Sequence, residues 1–402
     1  MGRPQLFLLF ATGAIVCACA SDQGPAPQVA TTLTVFPAAF EVPLNGTSLV
    51  SVTAYDAQGN TLPNPILTFR SSNTAIATVS SAGLVSGIAL GFDTITVFSG
   101  SARATANIAV VTHPSGSAAG TPAVASRPFG IAISATGLVY VSRQDVPYLQ
   151  VTQLPDTGFA DSIRVGLDPT DVAFTSTGAT AYVTNQASGT VSVIDVASKQ
   201  TVDSIATAPY GTPLRVVVGR DDQHFYVSTD SATILEFSTA TNAATQGWVL
   251  SGPVNGLVFR PDGGILYATS TTGYLFEITP STGVARYAQI GGAPQDLAVS
   301  LTNDELWIAD SAGDVQVLQA ATAAPIATVT GATGVFGLTM SPDGTRLYAS
   351  VPSTGQVLII DRASRSIGNT LSVGGSPRRI AFDRFGTAAL IANESGYVSV
   401  VK

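Results

Sequence analysis

Short runs of alternating apolar and polar residues follow one another along most of the chain, separated by turn-forming residues. The segment from Asp171 to Asp195 contains three such runs, with turns around Gly178 and Gly189. Runs bounded in this way by Gly, Ser, Thr and Asn are typical of β-strands joined by tight turns. After the N-terminus no long apolar pattern with a helical period occurs, so we expect an all-β chain with almost no helix.

This unit is one of seven copies that follow one another with a period of about 41 residues. The last apolar residues of the first strands mark the repeats, at Ile133, Phe174, Val218, Phe259, Val299, Met340 and Phe382. In six repeats the second strand carries an aromatic residue, at Tyr140, Tyr182, Tyr226, Tyr267, Trp307 and Tyr348. Seven units of three or four strands predict a seven-bladed β-propeller over residues 119–402, with these aromatic residues as wedges between blades.

The seventh repeat ends after its third strand, at Lys402. In the other repeats a fourth strand precedes the next unit, and residues 119–126 lie at the corresponding offset before the first unit. We therefore expect residues 119–126 to pair with the C-terminal blade and close the ring. Closure removes the free sheet edges that would otherwise aggregate.

Residues 31–112 contain about seven further short strand patterns, which predict a small sandwich. Within it, residues 71–100 read SSNTAIATVSSAGLVSGIALGFDTITVFSG, and Phe69 precedes them. This segment resembles the bacterial immunoglobulin-like domain of group 2, in which Trp is usual at the position of Phe69. The resemblance implies a domain of a bacterial surface protein that acts as a spacer or as a ligand-binding domain. Residues 113–118 are predicted to be a linker.

Two motifs within the repeats carry a second resemblance. Residues 181–185 read AYVTN and residues 189–195 read GTVSVID, while residues 341–348 read SPDGTRLY. They resemble the YVTN family of β-propeller repeats, most strongly in units two, six and seven. The resemblance implies an exported or surface protein of bacteria or archaea. A more distant resemblance links the repeats to lactonase-type and quinoprotein propellers.

The N-terminus combines Arg3, an apolar run over residues 6–16, and the sequence VCAC that ends at Cys19. This arrangement is typical of a signal peptide, and its end resembles a bacterial lipobox. The resemblance implies a signal peptide over residues 1–18, a lipid on Cys19 that anchors the chain in a membrane, and a tether over residues 19–30. Ala20 after the cysteine favours the outer membrane or cell surface over retention in the inner membrane, with the periplasm as the other expected location. The alternative is an ordinary secretory signal cleaved near Ala20.

Composition argues against nucleic-acid binding and against any function that needs a cysteine thiol. The net charge is −8 and the sequence pI is about 4.7, whereas a nucleic-acid-binding protein normally has a basic surface, so we expect no nucleic-acid partner. Cys17 and Cys19 are the only cysteines, so processing at Cys19 leaves no thiol for a disulfide, a zinc site or a nucleophile.

The residue just before each predicted first strand should ring the entrance of the propeller channel. These positions are Gly130, Asp171, Arg215, Gly256, Asp296, Gly337 and Arg379. Asp171, Arg215, Asp296 and Arg379 are therefore the candidate ligand-binding residues, since arginine offers a planar donor pair for a carboxylate or phosphate. The three glycines would leave space for the ligand. In the alternative interpretation, Asp171 and Arg215 pair with each other and close the channel.

Catalytic motifs are not recognisable in the sequence. Its two histidines, His113 and His224, fall in the linker and in a turn of the third repeat, and no serine triad, HExxH motif or phosphate-binding glycine loop occurs. We predict no catalytic residue, metal or cofactor. The favoured hypothesis is a monomeric, non-enzymatic module that binds protein or glycan. The alternatives are a hydrolase or lactonase-like enzyme that uses the channel entrance, and a purely structural envelope protein.

Overall fold

The computed structural model describes residues 28–125 and 127–402 of the chain. In these ranges the chain is all-β, with 37 strands and one short 3₁₀ helix (Pro280–Thr282). The predicted signal peptide, Cys19 and most of the tether lie outside the described residues. In the described part, none of the helical structure is long and apolar enough to cross a membrane.

The N-terminal domain is a sandwich of nine strands in three sheets, ordered β1-β4, β2-β9-β8-β5 and β3-β7-β6. The strands are β1 (Thr32–Phe36), β2 (Ala39–Pro43), β3 (Thr47–Leu49), β4 (Ser51–Tyr55), β5 (Thr68–Ser71), β6 (Ala77–Val79), β7 (Leu84–Gly87), β8 (Gly91–Ser99) and β9 (Ala102–Val111). Alternation in β8 places Ile95 and Val97 in the core, as the period of two predicts. Two more strands are present than the sequence indicated, because the turns at Asn45-Gly46 and around Gly83 delimit short extra strands.

The rest of the chain forms seven four-stranded antiparallel sheets, the blades of a closed β-propeller. The innermost strands of blades 1 to 7 are β11 (Pro128–Ile133), β15 (Pro169–Phe174), β19 (Pro213–Val218), β23 (Val254–Phe259), β27 (Pro294–Val299), β31 (Leu338–Met340) and β35 (Pro377–Phe382). The second strands are β12 (Leu138–Arg143), β16 (Thr180–Asn185), β20 (His224–Thr229), β24 (Leu266–Ser270), β28 (Glu305–Asp310), β32 (Arg346–Val351) and β36 (Ala389–Asn393).

The two outer strands of each blade complete the sheets. The third strands are β13 (Tyr148–Gln153), β17 (Thr190–Asp195), β21 (Thr233–Ser238), β25 (Tyr274–Thr279), β29 (Val315–Gln319), β33 (Gln356–Asp361) and β37 (Tyr397–Val401). The fourth strands of blades 1 to 6 are β14 (Asp161–Arg164), β18 (Gln200–Ala206), β22 (Ala244–Val249), β26 (Val284–Gln289), β30 (Pro325–Val329) and β34 (Ser366–Ser372).

The fourth strand of blade 7 is β10 (Ala118–Gly120), which comes from the start of the propeller and confirms the predicted closure. Ala118 pairs with Val401, and Ala123 forms an isolated bridge with Tyr397. The strand begins at Ala118, inside the segment predicted to be linker, and its regular pairing ends before Pro122, which lacks an N–H group. The ring is therefore held together by segments from both ends of the propeller sequence.

The second-strand aromatic residues lie between blades, as the sequence predicts. All six are at most 3% exposed. Tyr140 of blade 1 packs with Val172 and Val183 of blade 2, and Trp307 of blade 5 packs with Leu347 of blade 6. Large rings fill the wedge-shaped gaps between radially arranged sheets, so burying them joins each blade to the next.

The N-terminal domain contacts the propeller at the turn that follows the innermost strand of blade 7. The rings of Phe92 and Phe385 lie 5.2 Å apart, and Arg384 forms an ion pair of 3.2 Å with Glu41. The backbone N–H of Thr112 donates to the oxygen of Phe385 at 2.9 Å. Because this turn follows an innermost strand, the contact is at the opposite end of the propeller from the strand starts.

The segment predicted to be a linker, residues 113–118, is clamped against the propeller. His113 Nδ1 lies 2.6 Å from Oδ2 of Asp343, and the hydroxyl of Tyr348 donates to the backbone oxygen of Pro114 at 2.8 Å. Burial alone would raise the pKa of Asp343, but hydrogen bonds from His113, Ser341 and the backbone of Thr345 outweigh it and lower the pKa. The connection between the domains is thus a fixed strap.

Candidate functional site

The seven ring positions lie at the start of the innermost strands, but not quite where the sequence suggested. Six of them are the third residue of their strand, and only Gly337 directly precedes one. The prediction placed all seven before the strands. The strands begin two residues earlier, usually at a proline, and a register irregularity such as that between Pro169 and Asp171 follows this residue. Hence the ring lies within the channel wall, at the end that we call the entrance.

The structure brings the four charged ring residues together into one network. Nε of Arg215 lies 3.4 Å from Oδ2 of Asp171, and its Nη2 lies 3.7 Å from Oδ1 of Asp296. Nη1 of Arg379 lies 2.5 Å from Oδ2 of Asp296. All four side chains are at most 14% exposed. We call these four residues the channel network, and they link blades 2, 3, 5 and 7.

Backbone groups of neighbouring blades fix the channel network. The N–H of Val216 donates to Asp171 at 3.1 Å, and the N–H of Leu338 donates to Asp296 at 3.1 Å. Among the described residues, neither Nε atom of the two arginines has a hydrogen-bond acceptor, so attraction between charges contributes much of the stabilisation.

Burial and the positive charge of Arg215 lower the pKa of Arg379, and Asp296 and Asp171 oppose the shift. The pKa of Arg379 therefore depends on the charges of the other three residues of the channel network. The contact of Arg215 with Asp171 agrees with the alternative in which these two residues pair and close the channel, and Asp296 and Arg379 extend the pairing beyond it. Their direct contact with a ligand stays a prediction.

The three ring glycines serve the packing of blades. A Cβ atom at Gly130 would overlap with the backbone oxygen of Thr170, and one at Gly337 with the backbone oxygen of Arg378. A Cβ atom at Gly256 would lie 3.1 Å from Cα of Asp296. The space beside each glycine is thus filled by the next blade, so these positions do not widen the entrance for a ligand.

A second ring, one residue earlier in each repeat, lies nearer the solvent. We call it the entrance ring, and its members are Phe129, Thr170, Leu214, Asn255, Gln295, Phe336 and Arg378. Only Thr170 is fully buried, and the other six are partly exposed. This ring is not among the positions predicted from the sequence, although its members share one register position directly before the predicted residues.

One side of the entrance ring is aromatic and cationic. The rings of Phe129 and Phe336 meet edge to face with centroids 5.7 Å apart. The guanidinium carbon of Arg378 lies 4.7 Å from the centroid of Phe336 and 5.6 Å from that of Phe129. Arg378 also forms an ion pair of 2.8 Å with Glu394, which lies 3.6 Å from Arg127. These contacts hold the side chains of blades 6, 7 and 1 in a fixed cluster.

The other side of the entrance ring carries two linked amides. Nδ2 of Asn255 donates to Oε1 of Gln295 at 3.1 Å, and Nε2 of Gln295 donates to the hydroxyl of Ser311 at 3.0 Å. The backbone oxygen of Asn255 accepts from Nη2 of Arg379 at 3.4 Å, which connects the entrance ring to the channel network. A ligand at this end of the propeller would therefore meet amides on one side and aromatic rings on the other.

The two histidines lie far from the entrance. His113 is at the junction with the N-terminal domain, and His224 is the first residue of a second strand, not part of the preceding turn as predicted. His224 lies 4.0 Å from Glu236, away from the channel. In residues 28–125 and 127–402, no three His, Cys, Asp or Glu side chains converge in a way that could hold a metal ion.

Comparison with known proteins agrees with the fold of both domains. Residues 30–110 match the family model of the bacterial Ig-like domain (group 2). Among solved structures, hydrazine synthase from Kuenenia stuttgartiensis is similar, with a TM-score of 0.64 and 18% sequence identity over 70% of this chain and 97% of that chain. At this identity the similarity shows the fold alone. A search of curated proteins finds no match.

The two domains together suggest an interaction module. Bacterial Ig-like domains of this group are typical of extracellular bacterial proteins, which is consistent with export.

Proposed function

We propose that the chain is an exported, lipid-anchored, non-enzymatic protein of the cell envelope whose propeller binds a protein or glycan at the entrance ring. The proposal includes a lipid on Cys19, membership of the propeller in the YVTN repeat family, and an N-terminal domain that acts as a spacer. It also includes a monomer without nucleic-acid partners.

The observation that carries the proposal is the position of the entrance relative to the N-terminal domain. Phe92, near one end of β8, contacts Phe385 on the propeller, whereas Ser99 at the other end accepts a hydrogen bond of 2.9 Å from Ala30. Phe92 and Ser99 are seven residue steps apart along the strand, roughly 23 Å. The chain therefore enters the N-terminal domain at the end distal to the propeller, and the entrance ring lies at the far end of the propeller. An anchor at Cys19 would display this ring away from the membrane.

The channel network supports a binding role over catalysis. An enzyme that used the channel entrance would need charged groups that are free to act on a substrate. Here Asp171, Arg215, Asp296 and Arg379 are committed to one another and to backbone groups. Recognition then falls to the partly exposed side chains of the entrance ring, whose two phenylalanines and arginine are of types enriched at binding surfaces.

The binding proposal is tested by capture of extracellular proteins and by a glycan array, using the chain and two arginine variants. Arg378→Ala removes a cation from the entrance ring, whereas Arg260→Ala removes one from a turn at the opposite end of the propeller. We expect Arg378→Ala to weaken capture about tenfold and the matched control to bind normally. Equal binding by both variants would place the ligand elsewhere.

The anchor is tested separately in cells fed radiolabelled palmitate. We expect label on the chain and on Cys17→Ala, but none on Cys19→Ala. Label that persists in Cys19→Ala would refute the lipid assignment and leave the entrance proposal untouched.

A further inference from the structure

The entrance ring has the chemistry of a site for an uncharged sugar. We infer that the propeller binds a neutral glycan there, with one sugar unit lying across the mouth of the channel. This inference rests on the proposed function and narrows its ligand from protein or glycan to a neutral saccharide. It depends on three observations: the entrance ring has an aromatic side and an amide side, its charged side chains are paired, and the channel network closes the channel beneath it.

The two sides of the entrance ring match the two kinds of surface that a sugar presents. Phe129 of blade 1 and Phe336 of blade 6 supply aromatic surface, whereas Asn255 and Gln295 of blades 4 and 5 supply planar amides. In a ring of seven blades, blades 4 and 5 lie opposite blade 1. A sugar ring has apolar C–H faces and an edge of hydroxyl groups, so it can contact aromatic rings on one side and amides on the other. Sites for small molecules commonly combine aromatic walls with a few fixed polar groups in this way.

The polar side of the ring is already oriented. The hydrogen bonds from Asn255 to Gln295 and from Gln295 to Ser311 hold both amides in place before a ligand arrives. Each amide group can both donate and accept, as a hydroxyl can. Fixed amides lose little side-chain entropy on binding, so this cost does not offset the few contacts that a single sugar unit makes.

The charges at the entrance favour an uncharged ligand. Arg378 is paired with Glu394 at 2.8 Å, and Glu394 is also within 3.6 Å of Arg127. Below them, the channel network contains two arginines and two aspartates in mutual contact. An anionic ligand would have to displace Glu394 from Arg378, and a cationic ligand would have to displace Arg378 from Glu394. A neutral sugar leaves these pairs intact.

The channel network also limits the depth of the site. It lies one residue below the entrance ring in the strands, and its side chains close the channel by contacts across it. A ligand therefore rests on the mouth and does not thread through the propeller. This geometry fits the end or one unit of a glycan chain.

Titration calorimetry of the full-length chain tests the inference with four neutral tetrasaccharides and one acidic counterpart. The neutral probes are cellotetraose, maltotetraose, tetra-N-acetylchitotetraose and mannotetraose, and the acidic probe is tetragalacturonate. We expect at least one neutral probe to bind at millimolar concentration. Phe129→Ala and Asn255→Ala should each weaken it by about tenfold or more, while Arg260→Ala binds as the parent does. Unfolding curves of every variant verify that the propeller is intact, and Gln295→Ala replaces Asn255→Ala should the latter unfold.

The outcomes separate this inference from the proposed function. Failure of all four neutral probes to bind overturns the inference, as does binding of tetragalacturonate alone or neutral binding unaffected by the entrance variants. If a protein ligand is captured and lost in Arg378→Ala while no neutral saccharide binds, the proposed function stands and the sugar inference falls. If neither proteins nor saccharides depend on the entrance ring, both are wrong.

Discussion

Arg379 of blade 7 reaches past blade 6 and contacts Asp296 of blade 5, with 2.5 Å between Nη1 and Oδ2. Both side chains are 8% exposed. The pair therefore connects blades that are not neighbours, whereas the aromatic wedges connect only adjacent blades. Removing one partner leaves the other charge buried without its counter-charge, which is far more costly than removing both.

We expect Arg379→Met to destabilise the propeller by about 3–5 kcal/mol. The double variant Arg379→Met with Asp296→Leu should lose less than the sum of the two single variants, because it leaves no unpaired charge from this pair. Urea unfolding of the parent, both single variants and the double variant measures the coupling. Strict additivity would show that the two residues do not stabilise each other.

Gly337 is predicted to be intolerant of alanine. Its Cβ would overlap with the backbone oxygen of Arg378 on the next blade and lie 2.9 Å from the hydroxyl of Ser350, so the inner strands would have to separate. We expect Gly337→Ala to cost about 2–3 kcal/mol. Gly120→Ala is the matched control, since no atom lies within 4 Å of its Cβ position. Thermal unfolding compares the two variants, and similar stability would contradict the close approach of blades 6 and 7.

The closing strand is predicted to keep the propeller monomeric. A chain that begins at residue 127 lacks β10 and leaves β37 as an exposed edge, whereas a chain that begins at residue 112 keeps the closure. We expect the shorter chain to aggregate and the longer one to elute as a monomer in size-exclusion chromatography with light scattering. A monomeric shorter chain would show that blade 7 is stable with three strands.

The wedge tyrosines should ionise only at strongly alkaline pH. Burial raises the pKa of Tyr140 and Tyr182 to about 12, with a smaller contribution from nearby aspartates, and it also raises the pKa values of Tyr226, Tyr267 and Tyr348. The pKa of these tyrosines in the folded state is above the ordinary 10.0. Their contribution to the free energy of unfolding is therefore complete below pH 10 and is lost as the pH rises towards 12.

Ultraviolet titration of the 11 tyrosines measures this effect. We expect a later group of tyrosines to ionise together with unfolding, and Tyr182→Phe to make that later group smaller by one. Ionisation of all tyrosines near pH 10 in the folded chain would contradict their burial.

Acid should weaken the junction between the domains at Asp343. Its hydrogen bonds lower its pKa below the ordinary 3.8, so the stabilisation is complete above that value and is lost as the pH falls through the lowered pKa. We expect the parent to be more stable than Asp343→Asn at neutral pH and the difference to shrink in this acid range. Denaturant unfolding over a series of pH values measures it. A constant difference would mean that the carboxylate charge contributes nothing.

The repeat period allowed most of the fold to be predicted. Equivalent positions such as Tyr140 and Tyr182 recur at one register, and burial of both follows from that register alone. Closure of blade 7 by an N-terminal segment was also predictable, because an incomplete last blade requires a strand from elsewhere. The pairing of Ser117 with Lys402 lies in the segment predicted to be linker, so the start of the closing segment was not predicted. Local patterns and the count of strands were sufficient for these features.

The site was less predictable because it depends on contacts across the channel. The sequence identifies Arg215 and Arg379 as equivalent positions, but not that both reach Asp296. That contact depends on the width of the channel and on side-chain conformations. The contact of His113 with Asp343 joins residues 230 positions apart and has no counterpart in any repeat, so no periodicity could reveal it.

The strap and the closing strand have a consequence for the order in which the chain folds. Ser115 donates a hydrogen bond to the backbone oxygen of Lys402, 287 positions later in the sequence. Synthesis proceeds from the N-terminus, so the closing strand has no partner until the end of the chain has been made. Contacts between such distant residues slow folding because of the entropy of closing long loops. The ring thus becomes complete in a single late event, and until then its two terminal blades are the part of the molecule most exposed to wrong pairing.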